Sequence, residues 1–205
     1  MKWLSLASLG ICLCIVVSAR GAPSRGIQVA GHSADQATGM IAYMLSKEGA
    51  HKLVVVDNDA NQRYEKTLES NAYAPFWFGG TIFVIQPTGI LRTFTLKQGF
   101  GLAQDQKEVA SSFAIRAIEF STVHGILFWI ETRFDIGMNK LGYSLVAYNL
   151  KQRVPLWSRT VREPGFLKCS GQKIFILGDT QVQEFSLAGE VTGTIVRPTQ
   201  RTESR

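Results

Sequence analysis

The chain is poor in the residues that usually carry chemistry. It holds three cysteines and three histidines in 205 residues. Cys12 and Cys14 fall in an apolar leader, which leaves Cys169 alone and excludes an internal disulfide in the processed chain. The plain reading of Cys169 is a small apolar residue in a strand; the sharper one is an intermolecular disulfide. A catalytic thiol needs a base beside it, and His32, His51 and His124 stand in no recognisable motif. The nucleophile elbow Gly-x-Ser-x-Gly is missing, as is any Asn-x-Ser/Thr acceptor for N-glycosylation. Amphipathic helix periodicity is nearly absent; a helical turn or long loop is expected only over 103–112. Like charges form no run. The formal charge is +6, and about +4 once Lys2 and Arg20 are removed with the leader. Basic residues spread singly along strands form a solvated face rather than a nucleic-acid footprint. No nucleic-acid partner is expected.

What is present begins with that leader. Lys2 is followed by an uncharged stretch, 3–17, rich in Leu, Ile and Val. Val17-Ser18-Ala19 or Ala19-Arg20-Gly21 then offers small residues for cleavage. This is the pattern of a secretory signal over 1–22. About 17 apolar residues fall short of the roughly 20 of a membrane span. Ile11 and Leu13, before the two leader cysteines, are too bulky for a lipoprotein site. The expected location is secreted or extracellular, or periplasmic in a bacterium. At the other end, 197–205 is polar and without apolar periodicity, and is expected to be a mobile tail.

Between these ends a phrase returns. Thr81-Ile82-Phe83-Val84-Ile85, Ile126-Leu127-Phe128-Trp129-Ile130 and Lys173-Ile174-Phe175-Ile176-Leu177 place Phe83, Phe128 and Phe175 alike, at spacings of 45 and 47. A second strand follows each phrase and ends Phe94-Thr95-Leu96, Tyr148-Asn149-Leu150 or Phe185-Ser186-Leu187. Glycine turns such as Gly79-Gly80, His124-Gly125 and Ala188-Gly189 punctuate the strands. A strand-built period of this length is the signature of a β-propeller. The expected fold is all-β over 26–196, with four blades of about four antiparallel strands at 26–70, 71–112, 113–162 and 163–196. The hydrophobic fraction of 45% is enough for a packed core. Each blade is apolar on both faces and needs neighbours on both. Four repeats can make a small closed ring or an open arc, and the pattern leaves both open.

Blade three carries a closer likeness. Ile118-Glu119-Phe120, then His124-Gly125-Ile126-Leu127-Phe128-Trp129-Ile130-Glu131, resembles the YWTD repeat of low-density-lipoprotein-receptor class B propellers. Phe128, Trp129 and Glu131 stand in the tetrad. Leu145–Leu150 followed by Leu156-Trp157-Ser158 also resembles a quinoprotein-type repeat, with Trp157 on the following strand. The tetrad fails in the other blades, so no ligand or cofactor residue is carried over. The resemblance implies architecture and extracellular protein binding.

The remaining motifs are weak. Asp57-Asn58-Asp59-Ala60-Asn61 imitates the start of a calcium loop, but Gln62 stands where glycine is needed and Leu68 where the closing glutamate belongs. A plain Asx-rich turn is expected there, with no metal and no cofactor. His32 and Asp35 are spaced for a loop hydrogen bond. The excursion 135–142, with Arg133, Asp135 and Lys140, is the expected binding edge, because propellers place recognition residues on such loops. The sequence therefore reads as an exported, non-enzymatic propeller that binds protein or another macromolecule, with self-association as a further possibility. The alternatives are a propeller-class metal-dependent hydrolase with carboxylates in its channel, and a fragment of a larger receptor-like propeller.

Overall fold

The computed structural model describes residues 28–47, 50–57, 59, 62–68, 71–96, 102–108, 115–135, 137 and 139–197. The expected signal segment 1–22, and the tail beyond Arg197, lie outside the described residues. Sixteen strands follow in four consecutive groups. Blade 1 is β1 (Gln28–Ala34), β2 (Ile41–Lys47), β3 (Ala50–Val56) and β4 (Gln62–Leu68). Blade 2 is β5 (Phe76–Phe78), β6 (Thr81–Ile85), β7 (Ile90–Leu96) and β8 (Leu102–Glu108). Blade 3 is β9 (Ile115–Ser121), β10 (Ile126–Phe134), β11 (Lys140–Asn149) and β12 (Val154–Val161). Blade 4 is β13 (Phe166–Ser170), β14 (Lys173–Leu177), β15 (Gln181–Ser186) and β16 (Val191–Val196). Each group is a four-stranded antiparallel sheet whose strands lie in chain order. The fold is the propeller arrangement expected from the repeat.

Turn chemistry sets the hairpins. Gly79 and Gly80 both take positive φ, 56° and 73°, in a two-residue loop between paired Phe78 and Thr81. That is the type I′ geometry, whose twist matches the strands it joins.

The expected helical turn or long loop at 103–112 is corrected over 103–108, which belongs to the edge strand β8, while 109–112 lie outside the described residues. Its sequence, Leu-Ala-Gln-Asp-Gln-Lys-Glu, favours helix locally. An unbroken ladder to β7, from Ile90↔Glu108 to Leu96↔Leu102, overrides that preference. The excursion at 135–142 is also shorter than expected. β10 runs to Phe134 and β11 starts at Lys140, so Arg133 and Lys140 belong to strands and the connection is only 135–139.

Strand alternation sends side chains to two faces, one toward the preceding blade and one toward the next. Among the described residues, the buried apolar side chains form three clusters, each between consecutive blades. Ala42, Met44, Leu53, Val55 and Leu68 of blade 1 meet Trp77, Ile82, Val84 and Phe94 of blade 2. Phe76, Phe83, Ile85 and Leu91 meet Leu127, Trp129, Val146 and Tyr148 of blade 3. Phe128, Ile130, Leu145 and Ala147 meet Leu167, Ile174, Ile176 and Phe185 of blade 4. None of the three joins blade 4 to blade 1.

Polar clamps reinforce each seam. The Trp77 amide donates to Ser33 Oγ at 3.1 Å, joining blades 1 and 2. The Tyr73 hydroxyl donates to the Ile115 carbonyl at 2.6 Å, joining blades 2 and 3. Glu119 accepts from Lys168 Nζ at 3.1 Å and from the Cys169 amide at 3.2 Å, joining blades 3 and 4.

Candidate functional site

The turns that join first and second strands gather at one end of the arc. Ser33, Ala34, Asp35 and Gln36 of blade 1, Trp77, Phe78 and Gly79 of blade 2, and Thr122 and Val123 of blade 3 line a cleft of about 290 Å³. This is near the lower limit for a small-molecule pocket and suits one or two side chains.

Local hydrogen bonding shapes the walls. The Asp35 amide donates to the Met40 carbonyl at 2.8 Å, and the Asp35 carbonyl accepts from the Gly39 amide at 2.8 Å. The Asp35 carboxylate accepts from the Thr38 hydroxyl at 2.6 Å. Asp35 is thus fixed by its own turn, with Thr38 rather than His32 as its partner. Behind the cleft, Phe78 meets Phe120 edge-on at 5.9 Å. A Cβ on Gly125 would lie 2.3 Å from the Phe78 ring, and Gly125 has φ 62°. Only glycine lets that turn close over the ring. Val123, at the tip, is 85% exposed. Asp35 is the one ionisable residue among the lining side chains. The cleft therefore offers a pinned carboxylate, hydroxyl and amide groups, and an aromatic floor.

The residues singled out from sequence fall elsewhere. Arg133, Asp135 and Lys140 share the β10–β11 hairpin, at the other end of β10 from Val123. Asp135 accepts from the Asn139 amide at 2.7 Å and from Asn139 Nδ2 at 3.0 Å. These bonds hold its carboxyl below the usual range. The Lys140 ammonium meets the Tyr143 hydroxyl and lies 4.2 Å from that ring's centre. The three residues are neighbours, with Asp135 and Lys140 engaged within their own hairpin.

The tetrad residues are structural. Phe128 and Trp129 are fully buried on opposite faces of β10. The Trp129 indole N–H donates to Glu131 Oε2 at 2.9 Å, which gives the acidic position a physical reason. Trp157 lies 6.0 Å from Phe128, and its indole N–H reaches across to the Leu187 carbonyl of blade 4 at 2.8 Å. Gly189 sits against that indole, where a Cβ would come within 2.7 Å of the ring.

Cys169 lies at the margin of the blade 3–4 core. Burial first, and the Glu119 carboxylate second, push its thiol up to about 12. It is a poor nucleophile at neutral pH. Among the described residues, no group of three His, Cys, Asp or Glu side chains is placed to hold a metal. The calcium-like run 57–61 lies partly outside the described residues.

Sequence reasoning missed the cleft. Its signal was the set of short turns at equivalent places in the repeat, 35–40, 79–80 and 122–125, which a propeller must bring to one end.

No protein-family model matches the chain, and no curated protein matches it. Solved propellers do. Over 79% of this chain, Sqt1 of Saccharomyces cerevisiae is similar at TM-score 0.56 and 12% identity. Over 82%, the Pan2 WD40 domain of Neurospora crassa is similar at TM-score 0.55 and 12% identity. Over 77%, the Cps50 (Swd1) β-propeller domain of Myceliophteria thermophila is similar at TM-score 0.57 and 11% identity. These define the class: the chain has a β-propeller fold. The chain spans about half of those structures, 46%, 55% and 52% of their lengths respectively.

Proposed function

We propose that this chain is a secreted, non-enzymatic β-propeller module that recognises protein through the turn end of blades 1 to 3. One observation carries the reading: equivalent turns of three successive blades converge on a cleft with an aromatic floor and a single fixed carboxylate. Such a cleft suits a basic or amide-bearing side chain on a partner loop, with exposed Val123 as an apolar rim. Export is supported by the leader pattern of 1–22. Kinship with YWTD-type or quinoprotein-type repeats belongs to the same proposal. It is supported by the Trp129–Glu131 bond and by the docking of Trp157 on the Gly189 turn.

The test places a photo-crosslinking residue at position 123, and separately at 137 in the β10–β11 hairpin, in exported protein. The expected result is a discrete polypeptide adduct from position 123 that is lost on Asp35→Ala. Adducts from 137 alone would move recognition to the Arg133, Asp135 and Lys140 hairpin. Stoichiometric divalent metal in the purified protein, with hydrolysis that depends on it, would replace the reading with the hydrolase.

A further inference from the structure

Among the described residues, blade 4 presents an apolar face that no buried cluster covers. In the repeat, Ile85, Ile130 and Leu177 hold one position, two residues after the shared phenylalanine. Ile85 pairs across its sheet with Leu91, and both are buried against blade 3. Ile130 pairs with Leu145, and both are buried against blade 4. Leu177 pairs with Val182 in the same way, yet Leu177 is 36% exposed. The row continues to both edges of the sheet, since Phe166 pairs with Leu177 and Ile195 with Val182. Phe166 is 80% exposed and Ile195 69% exposed. Phe175, equivalent to buried Phe83 and Phe128, stands in the next row and is only half-buried.

Blade 1 shows the complement. Ala42 and Met44 of β2 face blade 2. Ile41, Tyr43 and Leu45 alternate with them and point to the opposite face, where they are half-buried beside Val54 and Val56, which are buried. Val29, paired with Leu45, is 62% exposed on that face. Among the described residues, each of these faces also carries an opposite-charge pair, Lys52 with Glu65 on blade 1 and Lys173 with Glu184 on blade 4. Both faces are thus apolar and locally charge-balanced, as a blade-to-blade seam requires.

The geometry points to two copies of this chain closing head to tail. The free face of blade 4 in each copy packs on the free face of blade 1 in the other, making one eight-bladed ring. The occupant is argued from continuity with the three existing seams, whose register the free row of blade 4 repeats. Eight blades lie within the usual range of four to eight. A head-to-tail contact that closes by rotation ends assembly at the ring and leaves no exposed blade face. The seam involves blade faces rather than the turn end that bears the cleft, so assembly and partner recognition succeed or fail separately.

The test is the mass of the full chain in solution, by light scattering across a concentration series, with far-UV dichroism to confirm folding. Wild-type protein is expected at twice the single-chain mass. Phe166→Asp and Val29→Asp alter mostly exposed side chains, so each is expected to remain folded. Each should weaken dimerisation by about 100-fold or more, because a charge would be buried unpaired in the seam. Mixed together, the two variants retain one intact seam, blade 4 of one against blade 1 of the other, and are expected to recover a dimer in part. A monomer at all concentrations overturns the proposal. So do assemblies larger than two, or a Val29→Asp variant that dimerises as well as wild type, which would mean that blade 4 meets blade 4.

Discussion

Phe128 and Phe175 occupy the same place in the repeat, on the same face of the second strand of their blades, but their surroundings differ. Phe128 is fully buried between blades 3 and 4, with Trp157 beside it. Phe175 is half-buried and belongs to none of the three clusters. One residue position, in strands that share only that phenylalanine over five places, is core in blade 3 and half-buried in blade 4. A blade's sequence specifies two sticky faces, and the next blade decides whether a face becomes core. Internal substitutions should therefore register in folding stability, and substitutions on the terminal faces should register in assembly.

The largest expected effect lies inside blade 3. Trp129 is fully buried among blade 2 and blade 3 side chains, with Tyr148 at 6.0 Å. Trp129→Ala should lower stability by about 3–5 kcal/mol, the usual cost of emptying such a site. Ile195→Ala on blade 4 should stay within about 0.5 kcal/mol when measured on monomer, as for other exposed positions. Urea unfolding of both at low protein concentration makes the comparison; equal losses would break it. Next in size is Gly125→Ala. The added methyl meets the Phe78 ring at 2.3 Å and strains a backbone at φ 62°. Overpacking of this kind costs about 1–3 kcal/mol. Gly171→Ala shares the strain, at φ 58°, but its Cβ meets nothing within 4 Å. The difference between their unfolding midpoints isolates the packing contribution.

Most of the architecture was legible in the sequence, because the period-two apolar pattern and glycine turns of a blade are local. β6, β7, β14 and β16 begin and end where the repeat places them. β8 was legible only at its end, where a strand over 107–110 was expected, because its helix-favouring residues are held by a ladder to β7 that only the sheet supplies. The cleft was hidden for a related reason. Asp35, Trp77 and Val123 are more than 40 residues apart in sequence and meet only because blades stack in register. Arg133, Asp135 and Lys140 stood out as charges in a loop, while the hydrogen bonds that engage Asp135 there depend on how tightly the hairpin closes.

A smaller effect concerns the tetrad. The Trp129 indole N–H is satisfied by Glu131 within the same strand. Glu131→Gln keeps an acceptor oxygen and should cost about 1 kcal/mol or less. Glu131→Ala leaves the donor without a partner and should cost about 1–3 kcal/mol. Blade 4 has Leu177 at the position of Ile130 and Gly178 at that of Glu131, with no tryptophan before them, so no parallel pair exists there. If Ala and Gln behave alike at 131, the bond contributes little and the resemblance of blade 3 to YWTD repeats rests on shape alone.

The last effect is confined to alkaline pH and sits at the blade 3–4 margin. The Cys169 thiol is pushed up to about 12, chiefly by burial and then by Glu119, from the ordinary 9.0. Well below pH 9 the thiol is almost wholly protonated in both folded and unfolded chains, so it adds little pH dependence there. Between about pH 9 and about 12 the unfolded chain releases the proton while the folded chain keeps it, so stability should fall across that window and level off above it. Cys169→Ala should remove this slope and leave the rest of the alkaline profile in place. Alkylation tests the same claim under milder conditions. At pH 8 the native thiol should react far more slowly than the same thiol in urea, because only the thiolate attacks. Equal rates would mean that the seam between blades 3 and 4 opens readily, and the contrast between packed and terminal faces would then lose its sharpest boundary.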